Sequence, residues 1–291
     1  MKMKKFKILF QIIKKLAMSA YFFMWQRRNS RSGNVHLGME TMSLKKIPFS
    51  SDSVFIRPTI SDVVRVAEFN EGIYFENSYL HKKLLDFSPT VLIDIGANIG
   101  LSSLCILNKI NSINKVIGIE AEKLNYDVLR MNYKYWSEIN HNVSFDALFG
   151  VASWSSTNPF KQNSSLHSLN ESYTASGSFR FSVIEMKEEN NEQEVNLKAI
   201  SISDIVSEIG PDKPMIMKID IEGGEEHLFK DNIDWVSQIS FITIELHDCY
   251  NQDLLNSSKN LLKVLCDYNF AIVPKEDVLH CYNRNILFEN K

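Results

Sequence analysis

The chain lacks several features that would place it in a class directly. It has four cysteines among 291 residues, and no two of them form a C-x-x-C pair. Scattered cysteines of this kind predict neither a disulfide framework nor a zinc site, and they are typical of reduced thiols in a cytosolic protein. No internal repeat is visible. With 44% hydrophobic residues, the chain is long enough to bury one large core with extensions.

Acidic residues are absent from the beginning of the chain. Residues 1–39 contain nine of the 32 Lys and Arg residues and no Asp or Glu. The rest of the chain therefore has 23 basic and 35 acidic residues, a balance of −12. Because binding to phosphates requires a basic face, this acidic body argues against nucleic acid as a substrate.

A long uninterrupted apolar run is also missing. Lys14 and Lys15 interrupt the apolar stretch between Ile8 and Trp25, so we expect neither a signal-peptide core nor a membrane-spanning helix. The apolar residues of this segment are instead spaced as on one face of a helix, which predicts a basic amphipathic helix. This helix would contact an anionic membrane surface through residues 1–30, or pack on the rest of the chain or on a partner. The first alternative predicts a cytoplasmic protein with peripheral contact at the inner membrane face. The apolar residues at helical spacing are Phe6, Leu9, Phe10, Ile13, Leu16, Ala17, Ala20 and Met24.

The most informative segment that is present covers residues 91–100. An apolar run containing Asp94 leads into Gly96-Ala-Asn-Ile-Gly100 and then into a second apolar run. This pattern predicts a buried strand, a tight glycine turn and the start of a helix. Gly96 and Gly100 allow backbone conformations and a close ligand approach that a Cβ would obstruct. Open α/β sheets bind ligands at this edge, although a tight turn without a ligand gives the same pattern.

The spacing of the glycines bears on which ligand would bind. A dinucleotide turn requires G-x-G-x-x-G, with the pyrophosphate held by helix amides, and no third glycine follows Gly100. A carboxylate at Asp94 would be a poor neighbour for a diphosphate, but it suits the ammonium and sulfonium groups of S-adenosylmethionine. The next predicted strand ends in Glu120, which is placed to accept hydrogen bonds from both hydroxyls of a ribose. NAD and S-adenosylmethionine share that ribose, and an acid complementing a helix dipole is the alternative for Glu120.

Further strands follow the same pattern. Residues 143–150, 215–224 and 239–247 are predicted as further strands separated by helical spacing, which predicts a parallel sheet covered by helices on both faces. Residues 270–273 and 284–288 are predicted to add a closing antiparallel pair. Between the third and fourth strands, an insertion at about 151–198 is predicted to contain a hairpin formed by 179–184 and 194–198.

Five short motifs together resemble the FkbM-type methyltransferases. The resemblance covers about residues 54–250, and it implies a Rossmann-like class I methyltransferase fold with a mostly parallel seven-stranded sheet and helices on both faces. It also implies S-adenosylmethionine-dependent O-methylation of hydroxyls, often on sugars, polyketides or other secondary metabolites. One departure is Ser201-Ile-Ser-Asp204, where the family usually has Thr-Leu-Asp, so no role is assigned to Asp204. The motifs are Asp94-Ile-Gly-Ala-Asn-Ile-Gly100, Ile119-Glu-Ala121, Asp146-Ala147, Lys218-Ile-Asp-Ile-Glu-Gly223 and Ile244-Glu-Leu-His247.

The predicted organisation has three parts. A basic amphipathic helix lies within residues 1–39, a leading segment covers 40–85, and the methyltransferase domain covers 86–291. Nine residues of that domain are predicted to bind the cofactor, and by resemblance one of them, Asp220, borders its methionine end. They are Asp94, Gly96, Asn98, Gly100, Glu120, Ala121, Asp146, Ala147 and Asp220.

Methyl transfer is an in-line displacement, so the enzyme chiefly aligns the acceptor oxygen and manages its proton. The predicted catalytic residues are Asp220, Glu222 and His247. Histidine is the natural base by type, although a histidine at a strand end is also commonly a hydrogen-bonded rim residue. These three residues and Glu245 would alternatively bind a divalent ion, but their spacing is not that of a recognised site, and no metal is predicted.

Three functions remain open from the sequence. The first is an S-adenosylmethionine-dependent O-methyltransferase that acts on a hydroxyl of a glycan, a glycolipid or a related metabolite. The second is an NAD-dependent oxidoreductase, which the missing third glycine and Asp94 disfavour. The third is a non-catalytic adaptor that retains the fold and binds a partner.

Overall fold

The computed structural model describes residues 32–37, 40–49, 52–57, 59, 62, 65–66, 78–156, 160–162, 183–185, 196–221, 224–246, 257–275 and 278–288. The chain divides into two compact units, one containing the described strands before residue 73 and the other containing the elements from Tyr79 onward. In the described part of the chain, no helix has the length and apolar character needed to cross a membrane.

The first unit contains an antiparallel sheet of three strands in the order β1-β2-β3. They are β1 (Ser32–Leu37), β2 (Glu40–Phe49) and β3 (Asp52–Ile56). Ile47 and Val54 are opposite each other and buried, which gives the sheet an apolar face. The basic helix predicted within residues 1–39 falls mainly on residues 1–31, which lie outside the described residues. The end of that range, Ser32–Leu37, is a strand.

The second unit alternates strands and helices. Its elements in chain order are α1 (Tyr79–Phe87), β4 (Val91–Ile95), α2 (Leu101–Leu107), β5 (Lys115–Glu120), α3 (Lys123–Ile139), β6 (Ser144–Phe149), β7 (Val151–Ser153), β8 (Phe160–Gln162), β9 (Val183–Glu185), β10 (Asn196–Leu197), β11 (Ala199–Ser201), α4 (Ile202–Ile209), β12 (Met215–Ile219), α5 (Glu225–Leu228), a 3₁₀ helix (Ile233–Gln238), β13 (Ile239–Glu245), α6 (Ser257–Asp267), β14 (Phe270–Lys275), β15 (Val278–Asn283) and α7 (Arg284–Phe288).

Seven of these strands form the central sheet, in the order β14-β15-β13-β12-β4-β5-β6. Pairing is parallel from β13 to β6, and β15 runs antiparallel to both of its neighbours. Every residue of β4 and of β12 is buried, as expected for central strands of a parallel sheet that is covered on both faces. The predicted α/β fold with a mostly parallel seven-stranded sheet is confirmed.

The connections place a topological switch point at the centre of this sheet. From β4 the chain moves outward through β5 to β6, and it later returns to β12 on the other side of β4 before continuing to β13. A crevice opens at the carboxyl ends of the strands where the order reverses, and ligands of open α/β sheets bind there. The fold therefore directs attention to the ends of β4, β5 and β12.

Two predicted details, one at the edge of the central sheet and one in the insertion, differ from the structure. The strand predicted at 284–288 is helix α7, and the last antiparallel strand is β15. The Asn283 side chain accepts hydrogen bonds from the backbone N–H groups of Asn285 (3.1 Å) and Ile286 (3.4 Å), which caps α7 and ends the strand. In the insertion, β9 and β10 both pair with β8, so they do not form a hairpin with each other.

Among the described residues, Cys105, Cys266 and Cys281 form no disulfide. Burial raises the pKa of Cys105 and of Cys281 to about 12. Both thiols are therefore protonated near neutral pH and poorly reactive. Cys249 lies outside the described residues.

Candidate active site

Three neighbouring parallel strands bring the predicted site residues to one edge of the sheet. In the order β12-β4-β5, Ile95 is level with Ile219 on one side and with Ile119 on the other. Asp220 and Glu120 therefore lie beside the glycine turn that follows β4. The structure brings together residues that are more than 100 positions apart in the sequence.

The glycine turn, residues 96–100, is shaped by close contact with the protein's own chain. Gly96 has φ +72°, and a Cβ at this position would lie 1.8 Å from the backbone oxygen of Asp220. Gly100 has φ +91°, and a Cβ there would lie 3.0–3.1 Å from side chains of α3. The glycines thus permit the close approach of Asp220 and of α3 to the turn, and the close approach of a ligand stays a prediction.

The backbone amides of the turn are largely engaged within the protein. Gly96 and Ala97 both donate to the carbonyl oxygen of Ile119 at 3.0 Å, and Gly100 donates to that of Ala97 at 2.8 Å. The Asn98 amide donates to Glu120 Oε2 at 2.8 Å. A phosphate-binding turn instead presents its amides to the ligand, so this turn is poorly suited to a diphosphate.

Glu120 is buried at the end of β5, with 7% of its surface exposed. Its second oxygen, Oε1, accepts from the Glu122 amide at 2.8 Å. The two carboxylate oxygens offer about four acceptor positions, so Glu120 retains acceptor capacity beyond its two backbone amide donors and the Asn125 side chain. Burial raises the pKa of Glu120 to about 7, against the lowering effect of these three donors.

The alternative role for Glu120, at the start of a helix, belongs to a different residue. Helix α3 is capped by Glu122, whose carboxylate accepts from the amides of Leu124 (3.0 Å) and Asn125 (2.6 Å). Glu120 precedes that cap and points toward the glycine turn through its bond to Asn98. Its carboxylate is therefore available for a ligand in a way that a capping carboxylate is not.

The carboxylate of Asp94 is buried and bound by other side chains of the protein. Its side chain is 0% exposed, and Oδ2 accepts hydrogen bonds from the hydroxyls of Ser102 and Ser103, both at 2.6 Å. Oδ1 lies 3.3 Å from the ammonium of Lys218. The prediction placed the charge of Asp94 beside the ligand, whereas the structure directs it to a buried partner because an unpaired buried carboxylate is costly.

Lys218 is a site residue to which the sequence analysis assigned no role. Its side chain is 3% exposed, and Nζ donates to the carbonyl oxygen of Gly96 at 2.7 Å. Nζ also lies 3.6 Å from Asp220 Oδ2. A lysine inside the apolar strand Met215–Ile219 indicates an acidic partner, but only the register of β12 with β4 identifies that partner as Asp94.

A second buried contact extends this cluster to α3. The hydroxyls of Ser103 and Tyr133 are 2.7 Å apart, and because Ser103 donates its single proton to Asp94, Tyr133 is the donor in this bond. Burial, with a further contribution from Asp94, raises the pKa of Tyr133 well above its usual value. The phenol therefore stays protonated and serves as a donor.

Asp220 is the carboxylate of this cluster that reaches the surface of the site. It follows β12 directly, its amide donates to the Ile95 carbonyl at 3.0 Å, and its side chain is 14% exposed. Ala121 follows Glu120 and is half-buried. Both residues therefore lie where the prediction put them, at the strand ends.

Asp146 and Ala147 are not brought to this edge. Asp146 is level with Ile117 in the middle of β5, its side chain is 54% exposed, and it lies 3.6 Å from Lys115 at the amino end of that strand. Ala147 is level with Gly118. Strand β6 continues to Phe149, which is opposite Glu120, so the residue at the strand end is an aromatic one.

Two of the predicted catalytic residues, Glu222 and His247, lie outside the described residues. Glu245 is the last residue of β13 and is half-buried. Among the side chains that the structure describes, no group of three or more His, Cys, Asp or Glu is arranged to hold a metal ion.

Similarity to known proteins is found at the level of the family. The sequence profile described as "Methyltransferase FkbM domain" matches residues 94–272, more than half of the chain. The crystal structure of methyltransferase FkbM from Methylobacillus flagellatus KT is 18% identical with a TM-score of 0.44, and the match covers 67% of this chain and 44% of that one. This chain thus spans less than half of that relative. An O-methyltransferase from Bacillus cereus, in complex with SAH, is 11% identical with a TM-score of 0.36, over 75% of this chain and 88% of that one. No curated protein matches significantly in sequence.

Proposed function

This chain belongs to the FkbM family of methyltransferases, and we propose that it transfers the methyl group of S-adenosylmethionine to a hydroxyl of a glycan, a glycolipid or a related metabolite. The cofactor of the family supplies a methyl group already activated by a sulfonium. One observation carries the assignment of the site: the Glu120 carboxylate retains acceptor capacity at the carboxyl end of β5, beside a turn whose amides are largely engaged.

The residues fit the two ends of this cofactor. Glu120 would accept hydrogen bonds from the two ribose hydroxyls, as an acid at this strand end does in nucleotide-binding sheets. Asp220, on the other side of the glycine turn, would border the positively charged methionine end. The geometry supports this arrangement because both carboxylates flank Gly96 and are held by bonds to backbone groups or Lys218.

The chain's remaining task is to orient the acceptor hydroxyl and to take its proton. Asp220 is the candidate among the described residues because its carboxylate is partly exposed at the site. We propose Glu222 and His247 as further contacts of the acceptor, on the basis of their sequence positions after β12 and β13.

The proposal is tested by incubating the full chain with methyl-labelled S-adenosylmethionine and fractionated cell envelope. We expect label in a glycan or glycolipid fraction, in a linkage that resists mild alkali because it is an ether. Label that mild alkali releases as methanol would indicate carboxyl methylation instead, and label confined to protein would indicate a peptide acceptor. Either outcome would contradict the proposed acceptor class.

We also propose that residues 1–30 attach the enzyme to the inner face of an anionic membrane. The support is the sequence pattern of nine basic and no acidic residues in 1–39, with apolar residues at helical spacing. The full chain should co-sediment with anionic vesicles and not with neutral ones. If a variant without residues 1–30 sediments equally well with anionic vesicles, this proposal is wrong.

A further inference from the structure

We propose that Asn125 and Asn132 of helix α3 are positioning residues, which together hold the Glu120 carboxylate in place for the ribose of the cofactor. This inference rests on the proposed role of Glu120 in binding that ribose. It concerns how the carboxylate is held, which the family assignment does not address, and it adds two residues to which the sequence analysis gave no role.

The two asparagines lie on one face of α3. They are seven residues apart, close to two full turns of an α-helix, so their side chains point to the same side. The side chain of Asn125, in the first turn, donates a hydrogen bond to the Glu120 carboxylate. The side chain of Asn132 is fully buried and donates to the carbonyl oxygen of Ile99 at 2.8 Å. One face of the helix therefore contacts both the end of β5 and the glycine turn.

The bond from Asn132 acts on Glu120 through the turn. Ile99 lies between Asn98 at φ +52° and Gly100 at φ +91°, so its buried carbonyl is in the middle of left-handed backbone. The Asn98 amide donates to Glu120 Oε2 at 2.8 Å. Without the Asn132 side chain, the Ile99 carbonyl loses a buried donor. We then expect the turn to relax and the Asn98 amide to move away from the carboxylate.

The donors around Glu120 also control its charge. The groups near the carboxylate are Asn98 from the turn, Phe149 from β6, and Glu122 and Asn125 from the start of α3. Burial raises the pKa of Glu120 most, and the charge of Glu122 raises it further. The backbone amides and the Asn125 side chain lower this pKa because they donate to the charged form. Loss of the Asn98 or the Asn125 donor would therefore raise the pKa of Glu120.

Two variants, each with a matched control, test the positioning role. Asn125→Ala removes the direct donor, and Asn132→Leu removes the donor to the turn while keeping a side chain of similar size. Asn140→Ala is the control for the first, since Asn140 follows the last residue of the same helix. Asn283→Leu is the control for the second. Asn283 is also buried and donates to a backbone carbonyl, that of Ile239 at 3.1 Å, at the amino end of β13 and away from the site.

The experiment measures the melting temperature of each full-length variant and, by calorimetry over a range of pH, its affinity for S-adenosylhomocysteine. Near pH 7, Asn125→Ala and Asn132→Leu should bind about fivefold more weakly than the wild type. Their affinities should level off at a higher pH than that of the wild type, because the pKa of Glu120 is raised. Asn283→Leu should lower the melting temperature, as Asn132→Leu does. Both controls should nevertheless bind like the wild type, with its pH profile.

Two results would overturn the proposal. In the first, either asparagine variant folds and binds within about twofold of the wild type. In the second, binding weakens while the pH profile stays that of the wild type, because Glu120 would then have kept its donors. If Asn132→Leu does not fold, Asn125→Ala decides, since its side chain is only half-buried. Failure of the wild type to bind S-adenosylhomocysteine would instead refute the proposed function, which is a separate outcome.

Discussion

At the scale of single residues, the acidic groups around the glycine turn differ in how their charges are used. Glu120 has two amide donors and retains acceptor capacity, Asp220 is partly exposed, and Asp94 is enclosed by Lys218, Ser102 and Ser103. Only the first two have the access that a ligand requires. The site therefore offers a hydrogen-bond acceptor on the β5 side and a partly exposed carboxylate on the β12 side.

The raised pKa of Glu120 predicts that cofactor binding depends on pH. In the free protein burial places this pKa at about 7, while ribose hydroxyls that donate to the carboxylate favour its charged form and so lower the pKa in the complex. Binding near pH 7 should therefore release a proton, and affinity should rise as pH increases toward about 7 and level off above it. Calorimetry in two buffers of different ionisation enthalpy measures this proton release. The same titration of Glu120→Gln should show none.

Asp220→Asn tests the charge on the other side of the turn. The amide has nearly the same shape, so the main change is the loss of negative charge beside the methionine end. Binding of S-adenosylmethionine should weaken by about tenfold, with a smaller loss for S-adenosylhomocysteine, whose sulfur is neutral. Asp146→Asn is the control with the same chemical change, and it should leave both affinities as they are. A larger effect from Asp146→Asn than from Asp220→Asn would return Asp146 to the site.

Physical reasons decide which residues of the site could be predicted from the sequence. Glu120 and Asp220 were predictable because each ends an apolar run, and strand ends in a parallel sheet meet at one edge. The partner of Asp94 could not be predicted, because it depends on the register between β4 and β12, which are separated by more than 100 residues. Asp146 was misplaced for a related reason: its strand continues to Phe149.

At the scale of elements, the turn between β4 and α2 is enclosed by β12 on one side and α3 on the other. Gly96 contacts the backbone of Asp220, and the buried Asn132 side chain of α3 donates to the carbonyl oxygen of Ile99 at 2.8 Å. These contacts restrict the conformation of the turn. Such preorganisation reduces the entropy cost of cofactor binding.

Gly96→Ala measures how closely the turn is enclosed. Alanine at φ +72° costs about 1–2 kcal/mol for the left-handed backbone alone, and its Cβ would also collide with Asp220 O. Gly210→Ala is a control for a positive φ alone, since Gly210 has φ +87° and ψ 157° and nothing lies within 4 Å of a Cβ there. Chemical denaturation should show a clearly larger loss of unfolding free energy for Gly96→Ala. Equal losses would show that the contact with Asp220 is not tight.

The elements themselves were predicted best where the pattern was long and apolar. In the central sheet, β4, β5, β6 and β13 match their predicted positions to within about two residues. The strand predicted over 215–224 ends earlier, at Ile219, as β12. The end of the chain was harder, because Arg284–Phe288 alternates like a strand while the capping bonds of Asn283 make it a helix. The hairpin predicted in the insertion was wrong for another reason, because β9 and β10 both pair with β8 and not with each other.

At the scale of the whole molecule, the sheet order gives the site its position. The strand order reverses at β4 and β12, and a crevice opens there at the ends of the strands, with Glu120 and Asp220 on the strands to either side of β4. The family match over residues 94–272 includes the carboxyl ends of β4, β5 and β12 and extends into β14. The family fixes the methyl donor, while the choice of acceptor depends on residues beyond those that hold the donor.

The most direct test of the central claim is the affinity of the full chain for S-adenosylhomocysteine, with Glu120→Gln compared with the wild type and Glu122→Gln. The wild type should bind one equivalent, and Glu120→Gln should bind about tenfold more weakly because the amide cannot accept from both ribose hydroxyls. Glu122→Gln, which alters the cap of α3, should change the affinity by less than about threefold. Equal affinities for the wild type and Glu120→Gln would contradict the placement of the methyl donor at this edge of the sheet.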